Sequence, residues 1–203
     1  MRTLAFLGLL IGTIAVGVNP GAAADLSVED QRVLKDLREG DMNKLVVHRE
    51  ARPRIEETWR DQHGNGYEVA DYAGKVVFLN FWATWCPPCL KELPSIDRLA
   101  GEMEGDEFEV IALSTDRFDV ERVASVFSDG SKLHDGYVVE HLEVMQDRTG
   151  AVARRAAALG LPITIILDRQ GREIARLTGE AEWDSPRAKA ILTRLIEMTA
   201  PST

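Results

Sequence analysis

The chain has 203 residues, 45% of them hydrophobic and 28% charged, and only two are cysteines. That length allows one domain of roughly 150 residues with a real core, plus a leader and an arm, and leaves two independent domains cramped; the composition excludes a disordered or fibrous class. A formal net charge of −9 argues against strong affinity for nucleic acid or anionic lipid.

Residues 1–24 carry a single charge, Arg2, followed by an apolar run from Leu4 to Val18, then Asn19-Pro20-Gly21 and Ala22-Ala23-Ala24. This order predicts a secretory signal peptide cleaved before Asp25. The alternative is an uncleaved membrane anchor, because a spanning helix needs about 20 apolar residues. Asn19-Pro20-Gly21 would break such a helix at the membrane face and favours cleavage. Either way the body of the protein is exported. Without the leader, 33 acidic side chains face 23 basic ones.

The arm over 25–56 is expected to hold a short helix, opened by Ser27 with Asp30 three residues on and closed at Gly40, and to cover a sheet edge. The main domain is expected over 57–203. Thr58 to Asp61 and Tyr67 to Val69 flank Gly64-Asn65-Gly66 and read as a hairpin. The run Val76 to Phe81 is apolar enough for a strand buried on both faces. Leu93, Ile96, Leu99 and Met103 recur at helical spacing, so 88–103 is an amphipathic helix with a kink at Pro94.

A second buried strand is expected over Phe108 to Leu113, a helix over Val120 to Ser128, and an irregular stretch to Asp147. The helix Ala151 to Leu159 should stop at Gly160, a residue suited to the left-handed cap. Strands Ile163 to Leu167 and Arg172 to Leu177 follow, with a closing helix from Pro186 to Met198. The order fits an α/β fold: a mixed central sheet flanked by helices, with an added N-terminal hairpin.

Cys86 and Cys89 stand three apart in Trp85-Cys86-Pro87-Pro88-Cys89. An even cysteine count in an exported chain usually means a structural disulfide, but so short a loop constrains the unfolded chain little. The pair therefore reads as chemical. Haem attachment would need His at position 90, which is Leu. Structural zinc would need four ligands, and His48, His63, His134 and His141 are scattered. Copper(I) carriage by two thiolates stays open, because soft sulfur suits that ion. Thiol–disulfide exchange, with no metal and no cofactor beyond the redox-active Cys86/Cys89 disulfide, is the leading reading.

Exchange needs a thiolate, and an ordinary cysteine of pKa about 8.5 is only a few per cent ionised at pH 7. The strand-to-helix position puts Cys86 at a helix N-terminus, where backbone N–H groups and the helix dipole favour the anion. Cys86 is thus the nucleophile and Cys89, one turn in and more buried, the resolving thiol. Pro87 and Pro88 fix the first turn. Glu92 either takes the Cys89 proton or is a solvated glutamate beside Lys91. Trp82 and Trp85 either shield the disulfide or belong to the core, and Leu161-Pro162 is a candidate cis peptide.

The segment from Asn80 to Cys89, with Glu92-Leu93-Pro94 behind it, resembles the TlpA/ResA-like branch of the thioredoxin superfamily. Gly160-Leu161-Pro162 resembles that branch's cis-proline loop, which implies that Leu161 and Pro162 help bind the client strand, alongside Trp85, Pro87 and Pro88. Gly40-Asp41-Met42 through Arg49-Glu50, and Gly179 through Ser185, look TlpA-like. The resemblance implies a thioredoxin-like fold and a catalytic Glu92. Where thioredoxins keep a buried Asp, this chain has Asn80, which cannot take up a proton in the same way. It further implies a periplasmic reductant, kept reduced by a membrane thiol donor of the DsbD or CcdA kind. Its clients would be copper chaperones and the copper subunit of cytochrome oxidase, with apocytochrome c the alternative.

Overall fold

A computed structural model describes residues 26–200, so the leader expected over 1–24 lies outside the described residues. Ser27 opens α1 (Val28–Leu37): its Oγ accepts the Asp30 N–H at 3.1 Å, and the Asp30 carboxylate accepts the Ser27 N–H at 3.2 Å. This is the reciprocal cap that the spacing predicts. The helix ends at Leu37, short of the expected Gly40. Arg38 is already extended, and Gly40, at φ +54°, starts a 3-10 turn over Gly40–Lys44.

The remaining elements are β1 (Val46–Arg52), β2 (Trp59–Asp61), β3 (Gly66–Tyr67), β4 (Val76–Trp82), α2 (Pro87–Met103), β5 (Phe108–Ser114), α3 (Val120–Ser128), β6 (Met145–Gln146), α4 (Ala151–Arg155), β7 (Ile163–Leu167), β8 (Glu173–Thr178) and α5 (Pro186–Met198). One sheet runs in the order β1-β8-β7-β4-β5-β6-β2-β3. The pairs β4–β5 and β5–β6 are parallel and the other neighbours antiparallel, so the sheet is mixed. The expected hairpin is β2–β3, and its first strand also joins β6.

All seven residues of β4 are buried. Alternate side chains go to opposite faces. Val76, Phe78 and Trp82 pack with α2, α3 and α5, whereas Val77, Leu79 and Phe81 meet Val69, Val152 and Trp59. On the first face Phe78 meets Trp183 edge-on at 4.7 Å, and Trp82 stacks on Phe127 at 5.5 Å. Burying each such ring stabilises the fold by about 2–3 kcal/mol. Helix α2 passes through Pro94 without a break in its span.

Strand β6 falls in the stretch expected to be irregular, and two larger features also depart from the sequence reading. Strand β1 comes from the arm and pairs antiparallel with β8 at the sheet edge. Its polar alternation hides it, because the strand is held by an ion-pair cluster: His48 Nε2 lies 2.7 Å from Glu173 Oε1, and Arg176 grips the same carboxylate at 2.6 and 2.7 Å. Helix α4 ends at Arg155, before the expected Leu159. Ala157, not Gly160, takes the left-handed position at φ +51°. Its N–H reaches Arg154 O at 3.0 Å and the Ala158 N–H reaches Ala153 O at 2.8 Å, a Schellman cap with alanine in glycine's usual place.

Candidate active site

Strand β4 ends at Trp82, and the chain turns over Ala83–Trp85 into α2. The Cys86 N–H closes this turn on Ala83 O at 3.1 Å. Cys86 is the N-cap residue of α2. Its sulfur is joined to that of Cys89 at 2.10 Å, with the Cα atoms 5.3 Å apart. Cys86 is 4% exposed and Cys89 fully buried, so the sulfur nearer solvent belongs to the residue expected as nucleophile.

An N-cap side chain draws on the N–H groups of the second and third helical residues. Here the first two helical residues are Pro87 and Pro88, which have no N–H. The Cys89 N–H is then the one first-turn donor left for a Cys86 thiolate, because the Leu90 N–H is given to Cys86 O at 3.1 Å.

Glu92 is 3% exposed, which removes the reading as a solvated surface glutamate. Its Oε1 accepts from Asn80 Nδ2 at 2.8 Å and its Oε2 from the Ala181 N–H at 3.1 Å. Asn80 also donates to Thr164 Oγ1 at 3.0 Å, and these two residues face each other in the β4–β7 register. The Trp183 indole N–H lies close enough to the carboxyl to favour its charge, yet outside hydrogen-bond geometry, so it has no partner. Burial dominates these contacts and pushes the Glu92 pKa up to about 8.

The Leu161–Pro162 bond is cis. Phe81 pairs with Ile163, so Pro162 falls level with Trp82, the last residue of β4, at the sheet end that carries the disulfide. Pro162 is buried, Leu161 and Pro88 are half-buried, and Pro87 is exposed. The two tryptophans separate: Trp82 is fully buried and gives its indole N–H to Ala112 O at 3.2 Å, whereas Trp85 is 63% exposed beside Cys86.

Asp116 escaped the sequence reading. Its buried carboxylate accepts the Thr84 N–H at 2.7 Å and the Thr84 hydroxyl at 3.0 Å, which ties the loop after β5 to the cysteine loop. Only its adjacency to the end of a buried strand could have signalled this. Apart from the two sulfurs, no group of three or more His, Cys, Asp or Glu side chains converges among the described residues.

The profile of the AhpC/TSA family matches residues 49–180, most of the described chain. The chain belongs to the AhpC/TSA family. Among curated relatives, the thiol-disulfide oxidoreductase ResA of Bacillus thuringiensis (strain Al Hakam) is 31% identical over 140 residues, 69% of this chain and 74% of the relative. ResA of Bacillus thuringiensis subsp. konkukian (strain 97-27) is 32% identical over 120 residues, 59% of this chain. That match spans 64% of the relative, just under two thirds of its length. Among solved structures, the pneumococcal exposed lipoprotein thioredoxin Etrx1 of Streptococcus pneumoniae superposes with a TM-score of 0.55 at 26% identity, covering 70% of this chain and 99% of that one. This AhpC/TSA member has the thioredoxin-like fold, a mixed sheet flanked by helices. No helix among its described residues is long and apolar enough to cross a membrane.

Proposed function

We propose that the chain is a periplasmic thiol:disulfide oxidoreductase that reduces disulfides in client proteins. The observation that carries this reading is the Cys86–Cys89 disulfide in the first turn of α2, at the sheet end shared with cis Pro162 and above a buried acid.

In the reduced protein the Cys86 thiolate attacks one sulfur of a client disulfide and expels the other as a thiolate, leaving a mixed disulfide. Cys89 then gives its proton to the Glu92 carboxylate and attacks the Cys86 sulfur, which releases the second client sulfur. The client gains two electrons and, from solvent and Glu92, two protons; the protein is left as the disulfide seen here. A Glu92 pKa of about 8 suits a group that exchanges protons near neutral pH. Trp85, Pro87, Pro88 and Leu161 form the surface that a client meets, and the backbone next to Pro162 pairs with the client strand.

The TlpA-like stretches at Gly40 to Glu50 and Gly179 to Ser185 favour copper chaperones and the oxidase copper subunit as clients, over apocytochrome c. A membrane thiol donor of the DsbD or CcdA type re-reduces the pair, and the leader over 1–24 exports the chain.

The deciding experiment is the reduction potential of the Cys86/Cys89 pair, equilibrated against glutathione or dithiothreitol. A value near about −270 mV, as in thioredoxin, is expected of a reductase. A value near about −120 mV, as in DsbA, makes the chain an oxidant and overturns the reading. Stoichiometric copper(I) uptake without disulfide turnover also overturns it, in favour of carriage.

A further inference from the structure

Six large apolar side chains are exposed among the described residues, and three of them, Leu159, Trp85 and Phe118, share one end of the sheet. The register places them there. β7, β4 and β5 are consecutive strands. Phe81 pairs with both Ile163 and Leu113, so the start of β7 and the ends of β4 and β5 lie side by side. Leu159 precedes β7, Trp85 follows β4 and Phe118 follows β5. All three are therefore on loops at the sheet end that carries the disulfide, with the cysteine loop after β4 between the other two.

The loop that carries Phe118 is built. Gln146 Nε2 donates to the carbonyls of Asp116 and Phe118 at 2.9 and 2.8 Å, and Asp116 holds Thr84, next to Trp85. The loop therefore keeps its position relative to the cysteines. Phe118 is 46% exposed, and the Arg122 guanidinium lies over its ring at 4.3 Å from the centroid. A clamped loop that holds an aromatic ring toward solvent beside a reactive disulfide pays a solvation penalty that contact with a partner relieves.

We propose that Phe118, with Arg122 against it, is a specificity subsite for the client: it takes a large apolar side chain on an extended client segment, two positions from the client cysteine on one side. The inference rests on the thiol–disulfide exchange reading above. The occupant follows from continuity with the redox site, because the loop of Phe118 is tied through Asp116 to Thr84 in the cysteine loop, where a client cysteine meets Cys86. The spacing follows from geometry. Same-face side chains of an extended chain recur every second residue, about 7 Å, and adjacent strands are about 4.8 Å apart, so the side chain a client segment offers from the cysteine loop toward the neighbouring loop after β5 is the nearest one on the cysteine's own face, two positions away.

The test uses the reduced protein and three seven-residue peptide disulfides, each a homodimer linked through a central cysteine. One carries Phe two positions before the cysteine, one carries Phe two positions after it, and one has Ala at both places. The readout is kcat/KM with dithiothreitol recycling, and oxidised glutathione, which carries no large apolar side chain, is the control. One of the two Phe peptides is expected to exceed the Ala peptide by about tenfold, the size of one well-placed apolar contact. Phe118→Ala should erase that preference and leave glutathione reduction intact, which also shows that the variant is folded. Arg122→Ala should weaken it. Equal rates for all three peptides, or a preference that survives Phe118→Ala, overturn the subsite while glutathione turnover upholds the exchange reading. Turnover of neither glutathione nor peptide overturns both.

Discussion

Asn80 donates from Nδ2 to Oε1 of Glu92 at 2.8 Å, so the buried acid of α2 is gripped by the central strand, β4, that also delivers the cysteines. In the proposed exchange Glu92 takes the proton of the inner sulfur, and this contact fixes the position of its carboxyl. Glu92→Gln keeps the shape and one accepting oxygen, gives up the acceptor for either Asn80 or Ala181, and cannot take the proton. The release of client from the mixed disulfide should slow about 100-fold, with little change in the first attack on a small disulfide. Stopped-flow traces from pH 6 to 10 check this: the wild type should show an inflection near the Glu92 pKa of about 8. An unchanged profile in the variant removes Glu92 from the proton path.

The same carboxyl makes stability depend on pH. Its pKa is raised from 4.5 to about 8 by burial, so the folded state holds a proton that the unfolded chain releases. The stabilisation this provides is complete below about pH 4.5, declines as pH rises, and is gone once pH passes about 8. Glu92→Gln lacks this decline and should gain on the wild type by a few kcal/mol between pH 5 and 9. Urea unfolding of the oxidised proteins at those two pH values measures the difference; a gap that stays constant contradicts the raised pKa.

Pro88 occupies the helical position whose N–H would otherwise face the Cys86 sulfur. Pro88→Ala restores that donor, and a hydrogen bond to the thiolate stabilises the reduced form. The potential should rise by about 30 mV, equivalent to about 1.4 kcal/mol. Equilibration against glutathione reads it, and a fall in potential would count against the N-terminal donor account.

Ala157 sits at φ +51° in the cap of α4. A side chain in the left-handed region costs about 1–2 kcal/mol relative to glycine, part of which is offset by the freedom glycine adds to the unfolded chain. Ala157→Gly should therefore stabilise the protein by about 0.5–1 kcal/mol, seen as a higher urea midpoint with an unchanged slope.

Asp97, fully buried on α2, accepts from the Tyr137 hydroxyl and from the N–H groups of Glu140, His141 and Leu142 at 2.8–3.1 Å. Asp97→Ala leaves several of these donors unpaired and should cost about 3 kcal/mol. Amide exchange at His141 and Leu142 should accelerate more than at Val77 or Leu79 in the sheet centre, which distinguishes local release of the loop from a global loss of stability.

Where a local pattern decides the structure, the amino-acid sequence was sufficient. The apolar run of β4, the apolar spacing in α2, the Ser27–Asp30 cap and the limits of α3, β7 and α5 all follow from neighbours within a few residues. The cysteine pair followed in the same way, because a three-residue spacing at a strand-to-helix junction is itself the chemical signal. Helical position left Glu92 open between an inward acid and a solvated glutamate beside Lys91, because it could not say what closes over that residue. The cover is Ala181, 89 residues away, and the partner is Asn80 on another element. Strand β1 was hidden for a related reason: its residues look solvated until Glu173 and Arg176 are brought against His48. Local sequence determined most of the elements and the pair of sulfurs. Tertiary structure alone decided which charges are desolvated, because desolvation depends on atoms that only folding brings together.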